Sequence, residues 1–210
     1  MNDRMVWIDC EMTGLSLAND ALIEVAALVT DSELNILGEG VDIVIRPPAE
    51  ALETMPEVVR EMHTNSGLLA ELAGGTTLAD AERQVMDYIR SFVPEPGKAP
   101  LCGNSVGTDR GFLARDMPEL EDYLHYRIVD VSSVKELARR WYPRAYFNSP
   151  EKNGNHRALA DIRESIAELR YYREAVFVPQ PGPDSDTARA IAAKHVLPAE
   201  TPAAQSVDGQ

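Results

Sequence analysis

No apolar run in the chain approaches the roughly 20 residues that a bilayer-spanning helix needs, so a helical membrane protein is excluded. The opening also lacks the basic-then-apolar pattern of a signal peptide, because Asp9 and Glu11 interrupt the first apolar stretch. A cytoplasmic location is therefore expected. Cysteine is scarce: Cys10 and Cys102 are too few for a disulfide framework and read as reduced thiols in buried strands. Positive charge is short as well, with 20 Lys and Arg against 34 Asp and Glu, a net charge of −14. Affinity for long DNA or RNA comes from Lys and Arg neutralising phosphates, so this chain is poorly made to hold a long polymer. Two physical routes remain to a nucleic-acid substrate. Bound divalent cations can supply the positive charge locally, or the substrate can be too short to need a basic track.

What is present is ordinary for a globular protein. The 44% hydrophobic and 26% charged content is typical, and 210 residues suffice for one domain with a sizeable core. Met5-Val6-Trp7-Ile8 runs apolar and then alternates through Asp9-Cys10-Glu11, which predicts a strand ending near a turn at Thr13-Gly14-Leu15. Ala21 to Val29 suits a second, largely buried strand, and Gly40 to Ile45 a third, ended by Pro47-Pro48. Short connections between the three imply an antiparallel meander.

Beyond this point helices alternate with strands. A helix is predicted over Thr77 to Phe92 with Thr77 as N-cap, stopped by Pro94 and Pro96. A short strand over Pro100 to Asn104 and a helix over Val106 to Arg115 follow. Tyr126 to Val131 reads as a strand, and Ser132-Ser133 as the cap of a helix through Trp141, stopped at Pro143. His156 to Tyr172 is the longest amphipathic pattern, entered from a loop at Asn153-Gly154-Asn155. The fold class is α/β, a mixed sheet opening in an antiparallel meander and flanked by helices. Residues 1–178 form the domain. Residues 179–210 form a linker rich in proline (Pro179, Pro181, Pro183) and a flexible C-terminal tail, with a short helix between Thr187 and Leu197.

Five residues carry the chemistry. Asp9 and Glu11, two apart on a strand, point to one face, with Cys10 to the other. Adjacent carboxylates repel unless a positive charge lies between them, and carboxylate oxygens favour hard cations such as Mg²⁺ or Mn²⁺. A solvated pair at a strand edge would satisfy the same two residues. Asp161 adds an acid at the margin of a helix's apolar stripe, where it costs free energy unless paired or ligating. His156, five residues earlier at a loop-to-helix junction, can reach a water near that acid. Asp109 offers a fourth carboxylate at the start of a helix, a position the helix dipole favours by itself. Asp130 competes for that role, and spacing does not separate the two. Four acids and a histidine suit a two-cation phosphodiesterase, with the cations roughly 3.5–4 Å apart and the histidine as proton acceptor.

These residues together resemble the DEDDh exonuclease superfamily, and more narrowly oligoribonuclease. Trp7-Ile8-Asp9-Cys10-Glu11-Met12-Thr13-Gly14-Leu15 is similar to that family's first motif. Cys102 to Asp109 resembles the second, and His156 to Ile166 the third; the likeness runs from about Met5 to Phe177. The resemblance implies a ribonuclease H-like fold, a homodimer, and removal of mononucleotides from the 3′ end of RNA of two to a few nucleotides. It implies Asp9, Glu11 and Asp161 around one metal and Asp9 with Asp109 at the second, with His156 as the base. Leu15 would wedge against the bases and His63 would help hold the substrate. A 5′-phosphate cap would map onto Ser105, Arg127, Ser132 and Lys135, with Tyr126 arriving from a partner subunit. Where the family carries a stacking tryptophan, this chain offers Val58, which gives up part of the roughly 1–3 kcal/mol of base–aromatic stacking.

Overall fold

The computed structural model describes residues 3–151 and 156–197. The chain divides between Phe177 and Val178 into two compact units. In the first, β1 (Met5–Met12), β2 (Leu22–Thr30) and β3 (Ile36–Val44) form the antiparallel meander that the alternating pattern predicts. β3 starts four residues earlier than its apolar pattern suggests. Gly38 and Gly40 interrupt the pattern and adopt φ of +74° and +91° beside a register shift in the β2 pairing. A Cβ at Gly38 would stand 2.7 Å from the Phe92 ring, so the helix packed on β3 requires glycine there.

Three short helices follow, α1 (Ala49–Glu53), α2 (Glu57–Asn65) and α3 (Leu68–Glu71), none of them evident from periodicity. Pro48 and Pro56 stand at the N-caps of the first two, so Pro48 both follows the strand and leads into a helix. α4 (Leu78–Phe92) begins as predicted, with Thr77 Oγ1 accepting from Asp80 N at 3.1 Å. β4 (Pro100–Gly103) joins β1 in parallel and leads into α5 (Gly107–Asp116) and α6 (Pro118–Tyr123). β5 (His125–Asp130) pairs in parallel with β4 and forms an edge of the sheet, whose order is β3-β2-β1-β4-β5. α7 (Val131–Trp141) follows directly. Its N-cap is Asp130 and not the expected Ser132-Ser133, because the Asp130 carboxylate accepts from both Ser132 N at 2.8 Å and Ser132 Oγ at 2.6 Å. Pro143, which ends α7, opens α8 (Pro143–Phe147).

The long amphipathic helix is α9 (Ala158–Ala175). His156 lies outside it, against expectation. Its φ of +47° is left-handed, and Arg157 is extended, so the helical path begins only at Ala158. The loop expected at Asn153-Gly154-Asn155 lies outside the described residues. In the second unit, α10 (Ser185–Ala193) is capped by Asp184, which accepts from Thr187 N at 2.8 Å. The helix therefore starts ahead of the predicted Thr187. Among the described residues no helix is long and apolar enough to cross a membrane.

Period two on the sheet sorts the core. Val6, Ile8, Cys10 and Met12 pack with α4 and α5 residues such as Val85, Ile89, Phe112 and Leu113. Trp7 belongs to the opposite face with Ala26, Leu28, Cys102 and the α9 residues Ala158, Ile162 and Ile166. Asp9 and Glu11 continue the Trp7 stripe, so the fold carries them toward the N-terminal end of α9.

Candidate active site

Two parallel strands and two helix starts bring the acids together. Asp9 and Glu11 lie in the last four residues of β1, facing Ala26 and Glu24 of β2 in register. Asp109 sits in the first turn of α5, and its Oδ1 accepts from Cys10 N at 3.0 Å. That amide belongs to the residue between Asp9 and Glu11, so Asp109 is fastened to the same stretch of β1. Asp161 lies in the first turn of α9. Ligand atoms of Glu11, His156 and Asp161 all fall within 4.8 Å of one another.

The electrostatics of this cluster are strained. Burial, reinforced by Asp109, Glu11 and Asp161, pushes the Asp9 carboxyl up to about 9. Burial and the charges of Asp161 and Glu24 push Glu11 up to about 8. Asp109 rises only to about 6, since burial is countered by hydrogen bonds from its own backbone amide and that of Cys10. A protein gains nothing by packing these groups together unless positive charge arrives among them. The donors are carboxylate oxygens with one imidazole beside them, the chemistry that hard divalent cations select. The residues fit such an ion.

Asp130 stands near enough for its charge to raise Asp109, but its side chain is engaged elsewhere. Its carboxylate is occupied by Ser132 and by Ser105 N, which donates at 3.0 Å from a residue with φ of +55°. Asp130 therefore gathers Ser105 and Ser132, two of the residues expected to meet a 5′-phosphate, at the ends of β4 and β5. Lys135 is one turn along α7, its Nζ 3.2 Å from Glu168 Oε1. Glu168 is buried, and its Oε2 accepts from Asn104 Nδ2 at 3.1 Å. Tyr126 and Arg127 stand apart, exposed at the start of β5, the Arg127 guanidinium 5.4 Å from the Tyr126 ring centroid. Arg127 lies three positions before Asp130, about 10 Å of strand.

Leu15 is 76% exposed on a loop that is firmly held at its base. Asp20 accepts from Ser16 N at 2.8 Å and Thr13 Oγ1 at 3.2 Å, and Arg115 of α5 donates to Leu17 O and Asp20 O. A Cβ at Gly14 would meet the Asp20 carboxylate at 2.4 Å, so the loop requires glycine. Val58 is 72% exposed and lines a cleft of about 670 Å³ with Glu61, Met62, Asn65, His156 and Arg157. His63 is wholly buried. Its Nε2 donates to Met12 O at 2.9 Å, and its Nδ1 is a buried acceptor with no hydrogen-bond partner. Burial lowers its pKa, opposed by the hydrogen bond to Met12 O and aided by the proximity of His156.

Several supporting residues were not singled out in the sequence: Glu24, Arg157, Asn104 and Glu168. Glu24 did carry a signal, as the one acid in a run of apolar residues from Ala21 to Val29. Glu168 shares the buried side of α9 with Ser165 and Tyr172 but reads on paper as a helix-surface charge.

The RNase_T family model, described as Exonuclease, matches residues 6–169. An oligoribonuclease from Streptomyces coelicolor is 90% identical over 199 residues, covering 95% of this chain and all of that one. The oligoribonuclease of Cutibacterium acnes is 66% identical over 191 residues, covering 91% and 95% of the two chains. Among solved structures, E. coli exonuclease I with single-stranded DNA, in its zinc-bound form, superposes with a TM-score of 0.65 at 19% identity. The match covers 83% of this chain and 41% of that one, so the present chain spans about two-fifths of that exonuclease's length. At this identity the likeness shows a shared fold.

Proposed function

We propose, for a chain that belongs to the exonuclease family and within it to the oligoribonucleases, that Asp9, Glu11, Asp109 and Asp161 hold two divalent cations and that His156 is the general base. The protein is a metal-dependent 3′→5′ exoribonuclease acting on short RNA, with the ribonuclease H-like α/β fold. The observation that carries the residue assignment is the convergence of Glu11, His156 and Asp161 within 4.8 Å beside an Asp109 bonded to Cys10.

The cations, Mg²⁺ or Mn²⁺, supply the positive charge that stabilises the phosphoryl oxygens as charge builds in the transition state. The protein's own groups do the rest. Asp9 and Glu11 present oxygens from a rigid strand, while Asp109 and Asp161 present theirs from helix starts. His156, exposed and in a left-handed conformation at the mouth of the site, takes the proton of the attacking water. The water oxygen bonds to phosphorus as the bond to the 3′ oxygen breaks, and that oxygen takes a proton from solvent, to which His156 later returns its own. Leu15 wedges against the base, and His63, buried and bonded to Met12 O at the end of β1, supports the substrate side of the site.

Ser105, Ser132, Lys135 and Arg127 would cap a 5′-phosphate, with Tyr126 supplied by the second subunit of a homodimer. Exposure of Tyr126 and Arg127 on an edge strand supports that reading. A closed 5′ end admits dinucleotides to a few nucleotides, and the net charge of −14 agrees with so short a substrate. We assign the enzyme to the cytoplasm, the catalytic domain to residues 1–178, and residues 179–210 to a separate C-terminal segment.

Hydrolysis of 5′-phosphorylated RNA of two, five and twenty nucleotides, each with Mg²⁺, with Mn²⁺ and with excess chelator, tests this reading. Metal-dependent turnover that falls steeply with length is expected. Equal turnover at all lengths would leave the acids their role and remove the closed cap.

A further inference from the structure

Register sets Glu24 directly opposite Glu11, in a strand buried along its whole length. Glu24 itself is 0% exposed, and a carboxylate so placed costs free energy unless its oxygens are bonded. Both oxygens accept from the two residues that follow His156, and the Asp42 carboxyl of β3 also hydrogen-bonds with Glu24. Oε1 accepts from Arg157 Nε at 2.8 Å, and Oε2 accepts from Ala158 N at 2.9 Å. The Arg157 fork reaches on to α3, where Nη1 and Nη2 donate to the two carboxylate oxygens of Glu71 at 3.2 and 3.0 Å. Arg157 O then accepts from Ala160 N and Asp161 N, both at 3.0 Å. One buried acid on β2 thus grips the chain at the point between the histidine and the acid of α9. Capping α9 would need a single oxygen. The second oxygen and the two-acid grip on Arg157 fix residue 157 itself, the immediate neighbour of the strained His156.

We propose that Glu24 is a positioning residue of the hydrolytic site: through Arg157 and the first turn of α9 it holds His156 and Asp161 against Glu11. This rests on the roles given to His156 and Asp161 above. Sealed from solvent, Glu24 reaches the site through these contacts and through its charge beside Glu11. Catalytic groups must be held to roughly 0.5 Å, and a 1 Å error can cost about a hundredfold in rate.

Glu24→Gln tests it, since the amide keeps one acceptor for the Ala158 amide but turns an N–H donor toward Arg157. With 5′-phosphorylated diribonucleotide and saturating Mg²⁺, kcat is expected to fall roughly 10–100-fold, with KM within about threefold of wild type. Calorimetric titration with Mn²⁺, which involves no turnover, should show weaker binding. Arg157→Met should give the same pattern, and the double variant should be no worse than the poorer single variant. Unchanged kcat in a folded Glu24→Gln protein overturns the proposal, as do additive losses in the double variant. A loss that tracks the unfolded fraction and disappears on cooling makes Glu24 a stability residue only, and also overturns it. His156→Ala, run alongside, separates the two readings. Wild-type turnover in His156→Ala would remove the base assignment itself, whereas a slow His156→Ala beside a normal Glu24→Gln rejects the positioning role alone.

Discussion

Asp109 accepts a hydrogen bond from the backbone amide of Cys10, 3.0 Å away, and so is tied to the one residue that separates Asp9 from Glu11. The bond crosses 99 residues of sequence and joins the start of α5 to the end of β1. It ties the three acids to one stretch of chain, and together with the hydrogen bond from its own backbone amide it makes Asp109 the least perturbed of the three.

Asp9→Ala and Asp161→Ala should each abolish detectable turnover while leaving the protein folded. Each removes an oxygen donor and also relieves like-charge crowding in the cluster. Steady-state assays beside far-ultraviolet circular dichroism check this. Near-wild-type rates in either folded variant would contradict the assignment of these acids as ligands.

The crowding predicts a pH dependence of stability. The Asp9 carboxyl is raised to about 9, by burial first and then by Asp109 and Glu11, and Glu11 to about 8, by burial and then Asp161. Groups whose folded pKa exceeds the unfolded value contribute stability that is complete below the unfolded value, about 4, and lost as pH climbs toward the folded one. In excess chelator, Tm should therefore fall between about pH 6 and about pH 9. Saturating Mg²⁺ should shrink that fall, and Asp9→Asn should remove part of it in chelator. A chelated Tm that rises over this window would mean that the acids are already compensated by other groups.

His156→Ala should slow hydrolysis by roughly 10²–10⁴-fold, the scale for losing a general base. Its proximity to Glu11 and Asp161 also allows a ligand role. Mn²⁺ affinity distinguishes the two: unchanged binding with a slow bound-state rate identifies a base, and weakened binding a ligand.

Arg127→Ala should impair substrates that carry a 5′-phosphate far more than those that lack it. Comparing kcat/KM for the two forms of one dinucleotide measures this directly. Equal losses would count against a cap that includes Arg127.

Val58→Trp should tighten substrate binding. Val58 is exposed at the cleft that His156 also lines, so a larger ring there has room to stack on a base. Stacking contributes roughly 1–3 kcal/mol, so KM should fall by about tenfold with kcat little changed. An unchanged KM would place the bases elsewhere.

Much of this was legible in the sequence because it depends on local periodicity. Strand alternation alone put Asp9 and Glu11 on one face with Cys10 on the other, and the extended motifs around Asp109, His156 and Asp161 carried the family resemblance. The meander was visible for the same reason. The short helices α1 to α3 were not, since they are too brief for a periodic stripe, and β3 was curtailed on paper by the glycines that its packing demands.

What the sequence determined by itself was the chemistry: which residues are acids, which face of β1 they share, and that a histidine precedes the last of them. By spacing alone it did not separate Asp109, at the start of a helix, from Asp130, at the end of a strand. Only the resemblance of Cys102 to Asp109 to the family's second motif favoured Asp109. The strand order places the two differently. β4 lies next to β1, so the helix that follows it brings Asp109 to the Cys10 amide. β5 lies one strand further out, and Asp130 there is consumed by Ser105 and Ser132. Nor could it reveal that Glu24 faces Glu11 and grips Arg157, 133 residues away. Those contacts arise only when β2 and α9 pack on the same sheet, and a buried carboxylate must then find partners wherever the fold puts them.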